Sequence, residues 1–104
     1  KKLEYKESER DMVVLFHDFT AEYPNKSERI TSLLVDYGIP NGDSSMSRTV
    51  SLPAAVAARH ILTGTFAKIK GVKIPVLPEI YNPVLNELET LKIKCEEASS
   101  PLNK

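Results

Sequence analysis

The chain has no tryptophan, a single cysteine and only four glycines among 104 residues, and it carries no excess charge of either sign. Each shortage excludes something. Cys95 has no second cysteine to pair with, so no internal disulfide staples the fold, and a reducing, intracellular compartment is the simpler expectation. The glycines stand at Gly38, Gly42, Gly64 and Gly71, a spacing that spells neither a dinucleotide fingerprint nor a phosphate-cradling loop. Lys and Arg number 14 against 14 Asp and Glu, which argues against wholesale binding to nucleic acid or to an anionic membrane. No apolar run reaches the ~20 residues of a membrane span. The opening Lys-Lys-Leu-Glu-Tyr-Lys-Glu-Ser-Glu-Arg lacks the apolar core of a signal peptide. No methionine stands at the start, which fits a piece of a longer polypeptide.

At this length one domain is the ceiling. Such a chain buries roughly 60–65% of its unfolded surface, enough for a modest core. One segment asks for more than that. Residues 44–64 are apolar on nearly every face, with Ala54, Ala55, Ala57 and Ala58 leaving a thin surface for close backbone approach. A helix of that kind needs cover all round, so it reads as the inner helix of something larger.

The rest of the chain has a legible pattern. Met12–Tyr23 alternates like a strand, with Val13, Leu15, Phe19, Ala21 and Tyr23 on one face and Val14 and Phe16 on the other. Pro24-Asn25-Lys26-Ser27 is a turn cluster, and Arg29–Tyr37 is the return strand. Apolar residues on both faces predict a sheet covered on both sides. Leu3 and Tyr5 read as the end of an earlier element. Gly38 to Asp43 breaks the sheet, and Asp43 or Ser44 can cap the following helix. Pro53 predicts a kink or a late helix start near Ser51. Residues 65–77 read as irregular. A second helix follows over 79–94, with Pro83 in its first turn, the stripe Ile80, Val84, Leu85, Leu88, Leu91, and a surface pair Glu89–Lys92. Residues 96–104 read as a disordered polar tail. The fold class is α+β: an antiparallel hairpin followed by two helices.

Stand-alone chemistry is sparse. His17 and His60 have no partner at ligand spacing, and neither a metal site nor a catalytic residue is expected. His17 reads as a strand-surface residue and His60 as the wet side of a helix beside Arg59. Lys68, Lys70 and Lys73 are a solvated loop, with a phosphate patch as the lesser alternative. Arg48 stands out: a cation one turn into an apolar helix, it either pairs with a carboxylate elsewhere or meets an anionic ligand.

The order of motifs is specific. Asp11-Met-Val-Val precedes Tyr37-Gly38 and Asn41-Gly42. Then comes Ser44-x-Met46-x-Arg48-Thr49-Val50-x-Leu52-Pro53, and after it Gly64, Gly71-Val-Lys-Ile-Pro and Glu79-Ile-Tyr-x-Pro83-Val-Leu. Over residues 3–93 this resembles the C-terminal part of the NADP-dependent, glutamate-forming saccharopine dehydrogenases, also found at the end of bifunctional aminoadipic semialdehyde synthase. The chain departs from the family pattern at Ser51 (usually Gly), at Ser45 and Ser47 (usually Ala) and at Thr63 (usually Asp). The resemblance implies a parent with a Rossmann-type NADP domain and an α+β substrate domain. Residues 1–40 would close the substrate domain, and 41–95 would be return helices packing toward the nucleotide domain. The parent would interconvert saccharopine with glutamate and aminoadipic semialdehyde in the cytoplasm or mitochondrion. Its catalytic and NADP-binding residues would lie upstream, leaving this chain alone inactive and without bound cofactor. At the junction, Met46 and Thr49 would line the cleft beside Pro53, with Arg48 bonding a carboxylate of the facing domain. The alternative is that all four only pack an interface. Partners are then the rest of the parent and a second copy through the sheet. Two other readings are a free-standing α+β dimerisation module, which should show a polar face on the first helix, and a nucleic-acid binder, which the neutral charge opposes.

Overall fold

A computed structural model describes residues 4–102 as three strands and two helices. They are β1 (Met12–Tyr23), β2 (Lys26–Tyr37), α1 (Ser45–Leu62), α2 (Pro78–Thr90) and β3 (Glu96–Leu102). They divide into two compact units. One holds the sheet, with the chain up to Ser45 and from Cys95 on; the other is helical, Met46–Lys94. None of the described helices is long and apolar enough to cross a membrane.

In the sheet unit, β1 and β2 form the predicted hairpin. Tyr23 pairs with Lys26 across Pro24-Asn25, and the register runs without slip to Met12 opposite Tyr37. Asp18 and Arg29 lock one face of the hairpin through two parallel hydrogen bonds of 2.9 and 2.6 Å. The sheet order is β1-β2-β3, all antiparallel. The third strand corrects the expectation of a disordered tail. Its Ser- and Glu-rich sequence has no apolar periodicity, but Leu33 to Ser27 on β2 offer a ladder, and Glu96–Leu102 takes it. Backbone bonding, not side-chain burial, makes this strand; every residue in it is exposed. The expected cover on both faces is not met within the chain. Phe16 on one face and Phe19 on the other are 56% and 52% exposed. Leu34 is the buried apolar residue of β2. Leu3 lies outside the described residues, and Tyr5 belongs to no strand or helix.

In the helical unit, α1 runs unbroken through Pro53, so the late start near Ser51 is overturned. Proline costs one backbone bond there, and the neighbouring turns hold the helix. Only one stripe is covered. Val56 is buried, and Thr49, Leu52, Pro53 and His60 are half-buried, at helical spacing. Val50, Ile61 and Leu62 are exposed, so the chain does not itself supply the cover that so apolar a helix needs.

α2 starts at Pro78, which donates no N–H and so suits the first turn. Pro83 therefore falls in the second turn, not the first. The helix ends at Thr90, short of the expected Lys94. Its stop is a Schellman motif: Lys92 N–H reaches Glu89 O at 3.0 Å and Ile93 N–H reaches Leu88 O at 2.9 Å. Lys92 adopts φ 65°, and the apolar pair that accompanies such a stop, Leu88 and Ile93, is buried. Lys92 thus leaves the helical repeat, and Glu89 pairs with Lys94 instead of the expected Lys92. α1 stops the same way, with Gly64 N–H on Ile61 O, Thr65 N–H on His60 O, and Gly64 at φ 81°.

Candidate functional site

Two groups of polar side chains are assembled by the fold, one in each unit. In the sheet unit, Asp11 sits just before β1. Its Oδ1 accepts the N–H of Ser45, the first residue of α1, at 2.6 Å. α1 has no acidic residue in its own first turn, so Asp11 supplies the negative charge that a helix N-terminus favours. Ser45 is fully buried, and its Oγ lies 2.6 Å from Asp36 Oδ2 and 2.9 Å from Asp36 O. Asp36 is itself buried. Gly38 makes the approach possible: a Cβ there would come 2.1 Å from Asp11 Oδ1 and 3.0 Å from Ser45 N. A shallow pocket of about 280 Å³ opens beside this cluster, lined in part by Tyr5, Arg10, Asp11, Ile39 and Ser44.

In the helical unit, Arg48 Nη2 donates to the carbonyl of Leu91, the C-cap residue of α2, at 3.3 Å. A cation at a helix C-terminus is favoured by the same dipole that favours Asp11 at an N-terminus. Of the other junction residues, Met46 is 61% exposed, Thr49 turns its Oγ1 back to Met46 O at 3.4 Å, and Pro53 is half-buried on the covered stripe. Met46, Arg48, Thr49 and Pro53 thus share one helix, with Met46, Thr49 and Pro53 at i, i+3 and i+7 on one face.

The expectation that His60 lies on the wet side of its helix is corrected. Its side chain is only 14% exposed. Nδ1 lies 3.1 Å from Thr65 Oγ1, and the ring packs on Phe66 with centroids 5.5 Å apart. Nε2 lies 3.1 Å from Glu87 Oε2, close enough for charge attraction but not aligned as a hydrogen bond. Glu87 also binds Arg59. Sequence reading missed this cluster because its members are 27 residues apart on two helices. A groove of about 610 Å³ lies nearby, walled by Ala57, Ile61, Phe66 and Ile80, with Lys70 and Lys73 among its lining. Lys68 does not line it. Among the described residues, no group of three or more His, Cys, Asp and Glu could hold a metal ion.

A nucleotide pyrophosphate requires free backbone donors at a helix N-terminus. The first N–H of α1 is taken by the Asp11 carboxylate, and α2 opens on Pro78 with Glu79 in its first turn.

Comparison with known proteins accounts for so little chemistry in so well-formed a fold. The family described as "Saccharopine dehydrogenase C-terminal domain" matches residues 1–93. The glutamate-forming, NADP(+) saccharopine dehydrogenase of Saccharomyces cerevisiae is 46% identical over 88 residues, covering 84% of this chain and 20% of that protein. The mitochondrial alpha-aminoadipic semialdehyde synthase of Bos taurus is 40% identical over 89 residues, covering 85% of this chain and 10% of that protein. The solved apo saccharopine dehydrogenase (L-Glu forming) from Saccharomyces cerevisiae superposes with a TM-score of 0.83 at 42% identity, covering 95% of this chain and 23% of that one. The chain therefore spans about a fifth of the length of the saccharopine dehydrogenases it matches. It belongs to the saccharopine dehydrogenase C-terminal domain family.

Proposed function

We propose that this chain is the C-terminal portion of an NADP-dependent oxidoreductase of lysine metabolism. The parent interconverts saccharopine with glutamate and aminoadipic semialdehyde. The observation that carries the reading is the match over residues 1–93, joined to 46% identity with an enzyme named for that activity. The sheet unit closes the substrate domain, and the helical unit returns toward the nucleotide domain. The exposed Met46, Val50, Ile61 and Leu62 on α1 support a docking role for that helix. The parent works in the cytoplasm or, like the mitochondrial synthases, in the mitochondrion. A second copy of the chain is a further partner, through the open edge of the sheet.

The chain by itself neither binds NADPH nor turns over saccharopine, because its four glycines spell no phosphate-binding loop. Titration calorimetry of NADPH into the 104-residue chain should give no heat beyond dilution; micromolar binding would overturn the reading. Met46 and Thr49 form part of the parent's cleft wall. The bond from Arg48 to Leu91 favours a packing role for the guanidinium. Arg48→Met in a full-length enzyme separates the two roles. A lower melting temperature with unchanged kinetics means packing, whereas an altered KM or kcat at an unchanged melting temperature means a ligand contact.

A further inference from the structure

Asn41-Gly42 is the only Asn-Gly pair in the chain. It lies in the loop that leads from the end of β2 to Ser45, and both residues are exposed. The geometry of the loop calls for this pair. Gly42 N–H donates to Ile39 O at 2.9 Å, closing a turn over Ile39, Pro40, Asn41 and Gly42. Pro40 holds the second position, and Asn41 takes the third with φ 56°. That is the pattern of a type II turn, whose third residue needs the left-handed region and so is glycine or asparagine. Gly42 answers a different demand. A Cβ there would stand 3.0 Å from Ile39 Cγ2 and 3.2 Å from Ile39 Cβ, so a side chain would crowd the turn.

The loop thus requires a dipeptide of low chemical durability. Asparagine is thermolabile, and a following glycine leaves its own backbone nitrogen unshielded by any side chain. In deamidation the Gly42 nitrogen attacks Asn41 Cγ. A new C–N bond closes a succinimide ring. The Gly42 N–H proton passes through water to the departing side-chain amide, which leaves as ammonia. Water then opens the ring at either carbonyl, giving aspartate or isoaspartate in place of Asn41. The attacking nitrogen is the same one that closes the turn. While its N–H is bound to Ile39 O it is held on that carbonyl, so attack waits for a local opening.

We propose that Asn41 is a site of spontaneous deamidation, that opening of the Ile39–Gly42 turn sets its rate, and that isoaspartate there loosens the lead into α1. Isoaspartate runs the main chain through the former side chain and lengthens it by a methylene between positions 41 and 42. The turn then no longer closes on Ile39, and the bond beside it, Ile39 N–H to Asp43 O at 2.8 Å, goes with it. Ser45, with its bonds to Asp11 and Asp36, follows two residues later. The new carboxylate also joins a pocket that already holds Glu7, Glu9 and Asp11 against Lys6 and Arg10.

Peptide mapping by mass spectrometry of the 104-residue chain, kept at mildly alkaline pH, tests this against a synthetic peptide of residues 36–47, in which no tertiary contact holds the turn. Asn41 should convert in both, to a mixture of aspartate and isoaspartate. Conversion in the folded chain should be slower by about tenfold, the factor that one hydrogen bond of the turn can hold. Pro40→Gly frees the turn without touching the reacting pair, and should speed conversion in the folded chain by roughly two- to fivefold. Asn41→Gly suits the left-handed position and should abolish the product while keeping the fold. The isoaspartate form, separated by chromatography, should unfold at lower urea than the unmodified chain. A folded chain that stays unmodified after the peptide has fully converted overturns Asn41 as a site. Equal rates in chain and peptide, or a Pro40→Gly chain that converts no faster than the wild type, overturn the turn as its control. An isoaspartate form as stable as the unmodified chain overturns the loosening.

Discussion

Asp11, Ser45, Asp36 and Gly38 show how much of this fold turns on contacts between residues far apart in sequence. Asp11 and Ser45 are 34 positions apart, yet one carboxylate oxygen closes the first turn of α1. Gly38→Ala should destabilise the chain by about 1–2 kcal/mol, since the new methyl displaces the capping carboxylate; urea unfolding measures it. Ser45→Ala removes the buried hydroxyl bonded to Asp36. It should cost about 1–3 kcal/mol by the same measurement, because Asp36 stays buried and loses a donor. The Asp18–Arg29 pair gives a pH dependence. The side-chain hydrogen bond from Arg29 holds the Asp18 carboxyl below its ordinary range. A group depressed on folding contributes stability that is present above the unfolded aspartate pKa and is lost as pH falls through the folded one. The Asp18 carboxyl resonance should therefore titrate below the ordinary aspartate range by NMR. Arg29→Gln should return it to that range.

At the scale of elements, the strand pair and the two helices follow from local signals, while their ends follow from caps. Both helices stop in Schellman motifs, one with glycine and one with lysine in the left-handed position. Lysine pays a backbone strain there that glycine does not, and its side chain is exposed. Lys92→Gly should raise thermal stability by up to about 1 kcal/mol, read from the shift in Tm. Leu88→Ala should lower stability by about 2–4 kcal/mol by chemical denaturation. Leu88 is buried and anchors the α2 stop through Ile93.

At the scale of the whole molecule, the apolar surface on α1 and β1 exceeds what the chain covers with its own residues. Val50 and Leu62 are 66% and 86% exposed. Large exposed apolar surface marks an interface. Val50→Ser should change the stability of the isolated chain by less than about 0.5 kcal/mol, as expected for an exposed position. In a full-length enzyme the same change should lower the melting temperature clearly, if α1 packs there on the nucleotide domain. An equal, negligible effect in both proteins would count against that docking.

The sequence by itself determined the hairpin, its turn, the two helices and the family. These rest on period-two and period-3.6 patterns and on an ordered string of motifs, all of which are local or linear. It also carried the sign that the helix from Ser45 belongs to something larger, because apolar composition records burial in the intact protein. Only the tertiary structure decided that Glu96–Leu102 is a strand. That segment is held by the backbone of β2, and its own side chains give no sign of it. The same is true of Asp11 at the head of α1, of Arg48 at the foot of α2, and of His60 turned in toward Glu87. Each of these is a pairing of polar groups across 27 to 43 residues of chain. Hydrogen bonds of that span leave no periodicity behind, so they become visible only once the backbone has brought the partners together.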